Sequence, residues 1–472
     1  MRPTDISSII FILFATAASA QDWGLYGSWE LVVASSGAGP AGYAFHHPTT
    51  VAGSLVFSGT DAATGANTSF ALDAASLAWT QYPDVPPPGV ARGGPFSFTI
   101  GGSVVLTNEA DPNTLFVIDS ASLGGGWRVV TTLGAPAGRD GERFIEWGGV
   151  LYFFGGWQSN GQGVAGTPHN DVYALDLTAA LGAAAPPQTW QRSAADLVPG
   201  VPSARVGFTF VPFNVGAMLF GGVSLLPGAP LGSNPYNCFS AAFVALGFCD
   251  FKQHVHAFLP RNRAPAADSV TGNDWLQLAL AGANGGPVPT GRFEHAAGAF
   301  GDQMFVFGGN TALGVSSELW VYNLHFQTWG QVAQTAPWPA TGFYGTGAWL
   351  GRSFWILTAP GVAPGQRPPP GLPAPNQVWR WSPGGGAPGG GGSSSSSSAG
   401  SATGLAIAYG HTGGIVLGLL LGLANLFVLV RLAQNARVDL GCGLGGGKGG
   451  GGAGYYMAAP AGVASVYEAP SA

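Results

Sequence analysis

"DQMFVFGGN" (residues 302–310) is an apolar run that ends on two glycines. "VLYFFGGW" (150–157) and "GAMLFGGV" (216–223) repeat the pattern. The pairs are Gly155 and Gly156, Gly221 and Gly222, Gly308 and Gly309. An arginine precedes each pair at one fixed interval: Arg139, Arg205 and Arg292, with 155 − 139, 221 − 205 and 308 − 292 all equal to 16. The text around the arginines also agrees: "PAGRDGERF", "VPSARVGFTF", "VPTGRFEHAAGAF". Downstream comes a strand with Tyr and often an acid, "NDVYALDL" (170–177) or "SELWVYNL" (317–324). A tryptophan then opens one more short strand: Trp190, Trp275 or Trp329. Glycine ends a strand where the chain must bend or backbones crowd. One ligand loop would not need three copies at a constant offset, so the pairs read as scaffold.

The same template, worn down, fits three more times. "ARGGPFSFTIGGSVVLTN" (91–108) has Arg92 in the arginine slot and Asn108 and Glu109 where the glycine pair would stand, followed by "LFVID" and Trp127. "HHPTTVAGSLVFSGT" (46–60) precedes "FALD" and Trp79, and "GAWLGRSFWILTA" (347–359) precedes "QVWRWS". Six copies recur at about 50-residue intervals. A period of that size with a glycine pair, then Tyr, then Trp, resembles the kelch repeat. The resemblance implies an all-β, six-bladed kelch-type β-propeller over residues 21–383, one four-stranded blade per repeat. The residues agree by themselves: each copy holds four β-like segments, none able to bury both faces alone, and stacking buries them. The sixth copy lacks a closing tryptophan strand, whereas "GSWELVV" (27–33) stands spare at the start. It is expected to complete the last blade.

Composition bounds the rest. Charged residues are 8% of 472, against about a quarter in ordinary domains. With 78 Gly, 36 Pro, 15 Trp and 28 Phe, the chain is turn-rich and core-forming. A net charge of −6 with no basic block argues against nucleic acid. Residues 1–20 read as a signal peptide: Arg2, an apolar core "ISSIIFILFATA" and "ASA" before the cleavage point. Residues 384–403 are a Gly/Ser-rich linker. Residues 404–430 are uncharged and long enough for a transmembrane helix, and Arg431 and Arg437 follow at once. The positive-inside rule then places the C-terminus in the cytoplasm and the head outside or in a lumen, a single-pass type I arrangement in the secretory pathway or at the surface. Residues 431–472 read as a disordered tail. Gly410, Gly414, Gly418 and Gly422 put a glycine stripe on one helix face, with Asn425 nearby. Such a stripe permits homodimerisation, with chance in a glycine-rich chain as its rival.

Few residues suggest chemistry. Cys238 and Cys249, both in one insertion of an exported head, are expected to form a disulfide. Cys442 follows the membrane segment and is a palmitoylation candidate or a free thiol. Asn67 begins the sequon "NTS" on a turn-like stretch, a candidate glycosylation site. His254 and His256 share a strand face but have no third ligand nearby in sequence, and His46 and His47 point to opposite faces, so no metal is expected. Neither a nucleophile elbow nor a phosphate loop is present, so no catalytic residue and no cofactor is assigned. The repeated arginines either brace loops between blades or ring an acidic ligand. Some propellers that resemble this one are copper oxidases with a cysteine–tyrosine cross-link; here both ectodomain cysteines are taken by one insertion, which argues against that reaction. The expected function is recognition of a protein or glycan through blade loops, above all the insertion from Gly222 to Trp275. The alternative is a membrane-tethered carbohydrate-active enzyme, which would place Arg, His and carboxylates with shifted pKa values at the channel mouth.

Overall fold

The computed structural model describes residues 26–383 except for 33–38, 41–42, 46–47, 62–66, 86–95, 108–110, 122–124, 160–165, 183–185, 194–199, 261–273, 336–338, 340–345 and 359–376. The signal, linker, membrane and tail segments, the glycine stripe, Cys442 and the His46–His47 pair therefore lie outside the described residues. Among the described residues, no helix is long and apolar enough to cross a membrane.

The regular structure of the described residues is almost all strand. Six main sheets follow one another among these residues, each built on four antiparallel strands, and four of the six carry one short extra strand. The first runs Thr49–Val51, Ser54–Asp61, Asn67–Asp73 and Trp79–Gln81; the second Ser97–Ile100, Ser103–Thr107, Thr114–Asp119 and Arg128–Thr131. The third runs Arg143–Trp147, Val150–Phe154, Val172–Asp176 and Gln191–Ser193; the fourth Val206–Phe213, Gly216–Leu225, Val255–Leu259 and Asp274–Gln277. The fifth runs Ala296–Phe300, Gln303–Phe307, Leu319–Asn323 and Thr328–Gln331. The sixth takes Thr346–Leu350, Ser353–Thr358 and Gln377–Pro383 from the C-terminal side and Tyr26–Val32 from the N-terminal side. Tight hairpins link the first two strands of a sheet; between Trp147 and Val150, Gly148 and Gly149 have φ of 64° and 87°, the paired left-handed turn that matches strand twist.

The first strand of each sheet adjoins the first strand of the next, and Thr346–Leu350 of the sixth adjoins Thr49–Val51 of the first. Side chains alternate along a strand, so each sheet feeds two cores. In Val150–Phe154, Leu151 and Phe153 pack with Phe98 and Val117 of the second sheet. Tyr152 and Phe154 pack with Phe208, Leu219 and Phe258 of the fourth. Equivalent cores join the fourth and fifth sheets around Met218, Val306 and Trp329, and the first and second around Val56 and Phe116. The sixth meets the first through Phe57, Leu72, Trp355 and Val378. This is the arrangement of an all-β propeller.

The spare N-terminal strand is where its sequence placed it. Tyr26–Val32 runs antiparallel to Gln377–Pro383, with Trp29 opposite Trp381 and Leu31 opposite Trp379. Trp29 packs edge-on to Phe307 of the fifth sheet, and its indole N–H donates to Gln334 Oε1 at 2.8 Å. Glu30 and Arg380 form an ion pair across the same two strands.

One expectation is corrected. Asn67 is not on an exposed turn. It opens the third strand of the first sheet, pairs with Thr60 and is 2% exposed, with Thr68 and Ser69 buried beside it. The Asn67 side chain is therefore buried in the sheet rather than presented to solvent.

Candidate functional site

The arginines and glycines meet. Arg139 Nη1 donates to the Gly155 carbonyl at 2.9 Å, Arg205 Nη1 to Gly221 at 3.0 Å, and Arg292 Nη1 to Gly308 at 2.9 Å. All six glycines have φ between 70° and 95°, the left-handed region closed to most side chains. Other groups crowd the space a side chain would need. A Cβ on Gly221 would stand 2.5 Å from the Arg292 carbonyl, and one on Gly309 2.7 Å from His295 Cβ. Two of the arginines also hold an acid: Arg139 reaches Asp171 through both terminal nitrogens, and Arg292 reaches Glu318 at 3.0 Å. Burial pushes the Glu318 carboxyl up, but hydrogen bonds from Trp320 and Arg292 outweigh it and hold it below the ordinary range. The tryptophans fill the cores between sheets: Trp190 against Phe153, Trp275 against Phe154, Phe210 and Phe258, Trp329 against Phe220 and Tyr322.

Where the first strands of the third, fourth and fifth sheets begin, a second polar cluster converges. Arg143 Nε donates to the Phe208 carbonyl at 2.8 Å, and its Nη2 lies 3.8 Å from Glu294 Oε1. Beside it, His295 Nε2 and Thr209 Oγ1 are hydrogen-bonded at 2.8 Å. Glu142 is fully buried and neither carboxylate oxygen has a partner. Burial raises its pKa to about 8, so it is protonated at neutral pH. Burial also raises Glu294, and drives the His295 imidazole well below its usual value, with Arg292 and Arg143 adding to the effect. Glu294 has a φ of 52° at the position, two after the arginine, where the other two repeats carry Gly141 and Gly207.

The insertion of the fourth sheet packs on Val206 and Phe293, which neighbour this cluster in sequence. As the sequence bounded it, Gly222 to Trp275 includes strand residues at both ends; the segment between the second and third strands is 226–254. It holds a 3-10 turn (Pro235–Phe239), a short helix (Ala241–Ala245) and the strand Cys249–Phe251, which folds back on Gly216–Leu225. Cys238 and Cys249 are disulfide-bonded. The inner side packs Tyr236, Phe239, Cys238 and Phe251 onto Trp157, Val206 and Phe293 of three successive repeats. Asn310 Nδ2 donates to the Cys238 carbonyl at 3.2 Å. The outer side carries exposed leucines, Leu231 at 80% and Leu246 at 66%.

The histidines stay apart from any metal geometry. His254 is exposed and His256 is buried, its Nδ1 3.2 Å from the Gly200 carbonyl, and burial lowers its pKa to about 3. Among the described residues no group of three His, Cys, Asp or Glu is arranged to hold a metal. Sequence reasoning missed Glu142, Arg143, Glu294 and His295 as a unit. The signal was present at Glu294, a charged residue where aligned repeats have glycine.

Residues 291–334, the fifth sheet with its arginine and glycine pair, match the family model described as the Kelch motif. No curated protein matches the chain. The match and the all-strand, many-sheet fold together fit a kelch-repeat propeller, an architecture suited to protein interaction.

Proposed function

We propose that the chain is a membrane-anchored, six-bladed kelch-type propeller that binds a protein partner through the disulfide-closed insertion on its mouth. The six main sheets are the blades, and the N-terminal strand latches the ring. Residues 404–430 are the anchor, which puts the head on the lumenal or extracellular side and the tail in the cytoplasm; the glycine stripe offers the anchor a dimer face.

The observation that carries the binding reading is the insertion's two-sidedness. Its aromatic inner side is committed to the fold, whereas Leu231 and Leu246 are spent on solvent. Exposed leucines on a covalently closed, pre-ordered loop fit a protein contact, because little order has to be gained on binding. They fit a glycan, which asks for polar groups and aromatic platforms, less well.

The enzyme alternative asked for a cluster of Arg, His and carboxylates with shifted pKa values, and Glu142, Arg143, Glu294 and His295 form one. The binding reading is preferred because Glu142 is 0% and His295 2% exposed, which suits a structural role.

The test uses the secreted head, wild type and with Leu231→Asp plus Leu246→Asp, as bait for solubilised surface proteins. The wild type is expected to retain a partner that the variant loses at unchanged melting temperature. Equal retention by both removes the insertion from recognition.

A further inference from the structure

The three arginine clasps are not alike, and their difference defines a site. The register aligns them: Phe154 pairs with Val172, Phe220 with Val255 and Phe307 with Leu319. The residue just before the third strand is therefore Asp171 in the third sheet, Glu318 in the fifth and His254 in the fourth. In the third and fifth sheets that acid binds the arginine. In the fourth, Arg205 meets a histidine position instead.

Arg205 is 2% exposed. Its Nε donates to the Ser203 carbonyl at 2.8 Å, Nη1 to the Gly221 carbonyl at 3.0 Å and Nη2 to Ser203 Oγ at 3.1 Å. A guanidinium has five N–H donors. One on each terminal nitrogen thus remains without a protein acceptor among the described residues. In Arg139 these same two nitrogens hold the Asp171 carboxylate. Asp250, whose charge acts on Arg205, is itself ion-paired with Lys252. Arg205 also lines a cavity of about 370 Å³, together with Ser203, Lys252, His254, His256 and Gln277. The formal charge of Arg205, Lys252 and Asp250 sums to +1.

We propose that this cavity is a carboxylate subsite: the Arg205 fork takes, in bidentate fashion, an aspartate or glutamate side chain of the bound partner. The cavity opens at the foot of the disulfide-closed insertion, since Asp250 and Phe251 are among its walls. The proposal rests on the reading of that insertion as the recognition element. The ligand carboxylate supplies in trans what Asp171 and Glu318 supply in cis, and planar two-point recognition of this kind is the strongest that arginine makes.

The experiment separates this subsite from the larger reading by using small probes. The full chain, with its histidine rings isotopically labelled, is titrated with acetyl-glutamate amide and with the isosteric acetyl-glutamine amide. The acid is expected to shift the His254 and His256 ring signals saturably, and the amide is expected to bind at least tenfold more weakly. His254→Asp restores the acid of the third sheet; it is expected to raise the melting temperature and abolish the acid's effect. Equal shifts from acid and amide, or undiminished binding to His254→Asp, overturn the subsite. A wild type that discriminates acid from amide while Leu231→Asp plus Leu246→Asp still retains the partner keeps the subsite and overturns only the insertion reading.

Discussion

Arg292 donates from Nη1 to the carbonyl of Gly308 at 2.9 Å, sixteen residues downstream. The first strand and its hairpin return in that interval, so the bond closes each inner corner of the head on itself. The left-handed glycine lets the carbonyl turn toward the guanidinium. Arg139–Gly155 and Arg205–Gly221 repeat the bond.

The clasps differ in what their loss would strand. Arg139→Met leaves the Asp171 carboxylate, 6% exposed, with only Arg192 at 3.6 Å. A buried charge stripped of its main partner costs about 3–5 kcal/mol. Arg205→Met strands carbonyls and a hydroxyl but no acid, at about 1–3 kcal/mol. Urea unfolding of the two variants is expected to rank them in that order.

Gly309→Ala is expected to destabilise by about 3 kcal/mol, combining a left-handed φ of 89° with the 2.7 Å approach to His295 Cβ. Gly301→Ala, at φ 60° with nothing within 4 Å of the added Cβ, isolates the backbone effect, about 1 kcal/mol. Equal losses in the two variants would show that the close approach contributes nothing.

Stability depends on pH at both limbs. Burial raises Glu142 from 4.5 to about 8, so the folded state keeps a proton that the unfolded chain releases. The associated stability is complete below pH 4.5 and is lost as pH rises through 8. His256 behaves oppositely: burial lowers it from 6.5 to about 3, so its contribution is present above pH 6.5 and is lost as pH falls toward 3. Glu142→Gln is expected to flatten the decline of melting temperature between pH 5 and 8, and His256→Gln the decline below pH 6.5.

Replacing Cys238 and Cys249 together with serine is expected to loosen the insertion before the sheets. The bridge closes a short loop, with a sequence separation of 11, and such closure contributes about 3 kcal/mol. Hydrogen exchange is expected to accelerate across 226–254 while the strands Gln303–Phe307 and Val150–Phe154 keep their protection.

Much of this architecture was legible in the sequence because repetition amplifies weak signals. The sixteen-residue interval in three copies located the arginine clasps, and the unpaired "GSWELVV" located the strand opposite Gln377–Pro383. The cysteine pair was legible from its proximity within one insertion. The Arg143 cluster was not, because Arg143, Thr209 and Glu294 come from three separate repeats and only sheet stacking brings them together. Asn67 misled for a local reason: a small polar residue after a Gly-containing stretch reads as a turn, yet its register with Thr60 extends the strand to it. The difference at His254 was printed in the sequence, but it carries meaning only once the strand registers align it with Asp171 and Glu318.

The proposed recognition surface is the insertion. A photo-crosslinking amino acid placed at position 231 or 246 of the full chain tests it most directly, with the same residue at exposed Val129, on the outer strand of the second sheet, as the comparison site. Positions 231 and 246 are expected to capture one common partner, and position 129 none. Capture of a partner at 129 with none at 231 or 246 would contradict it.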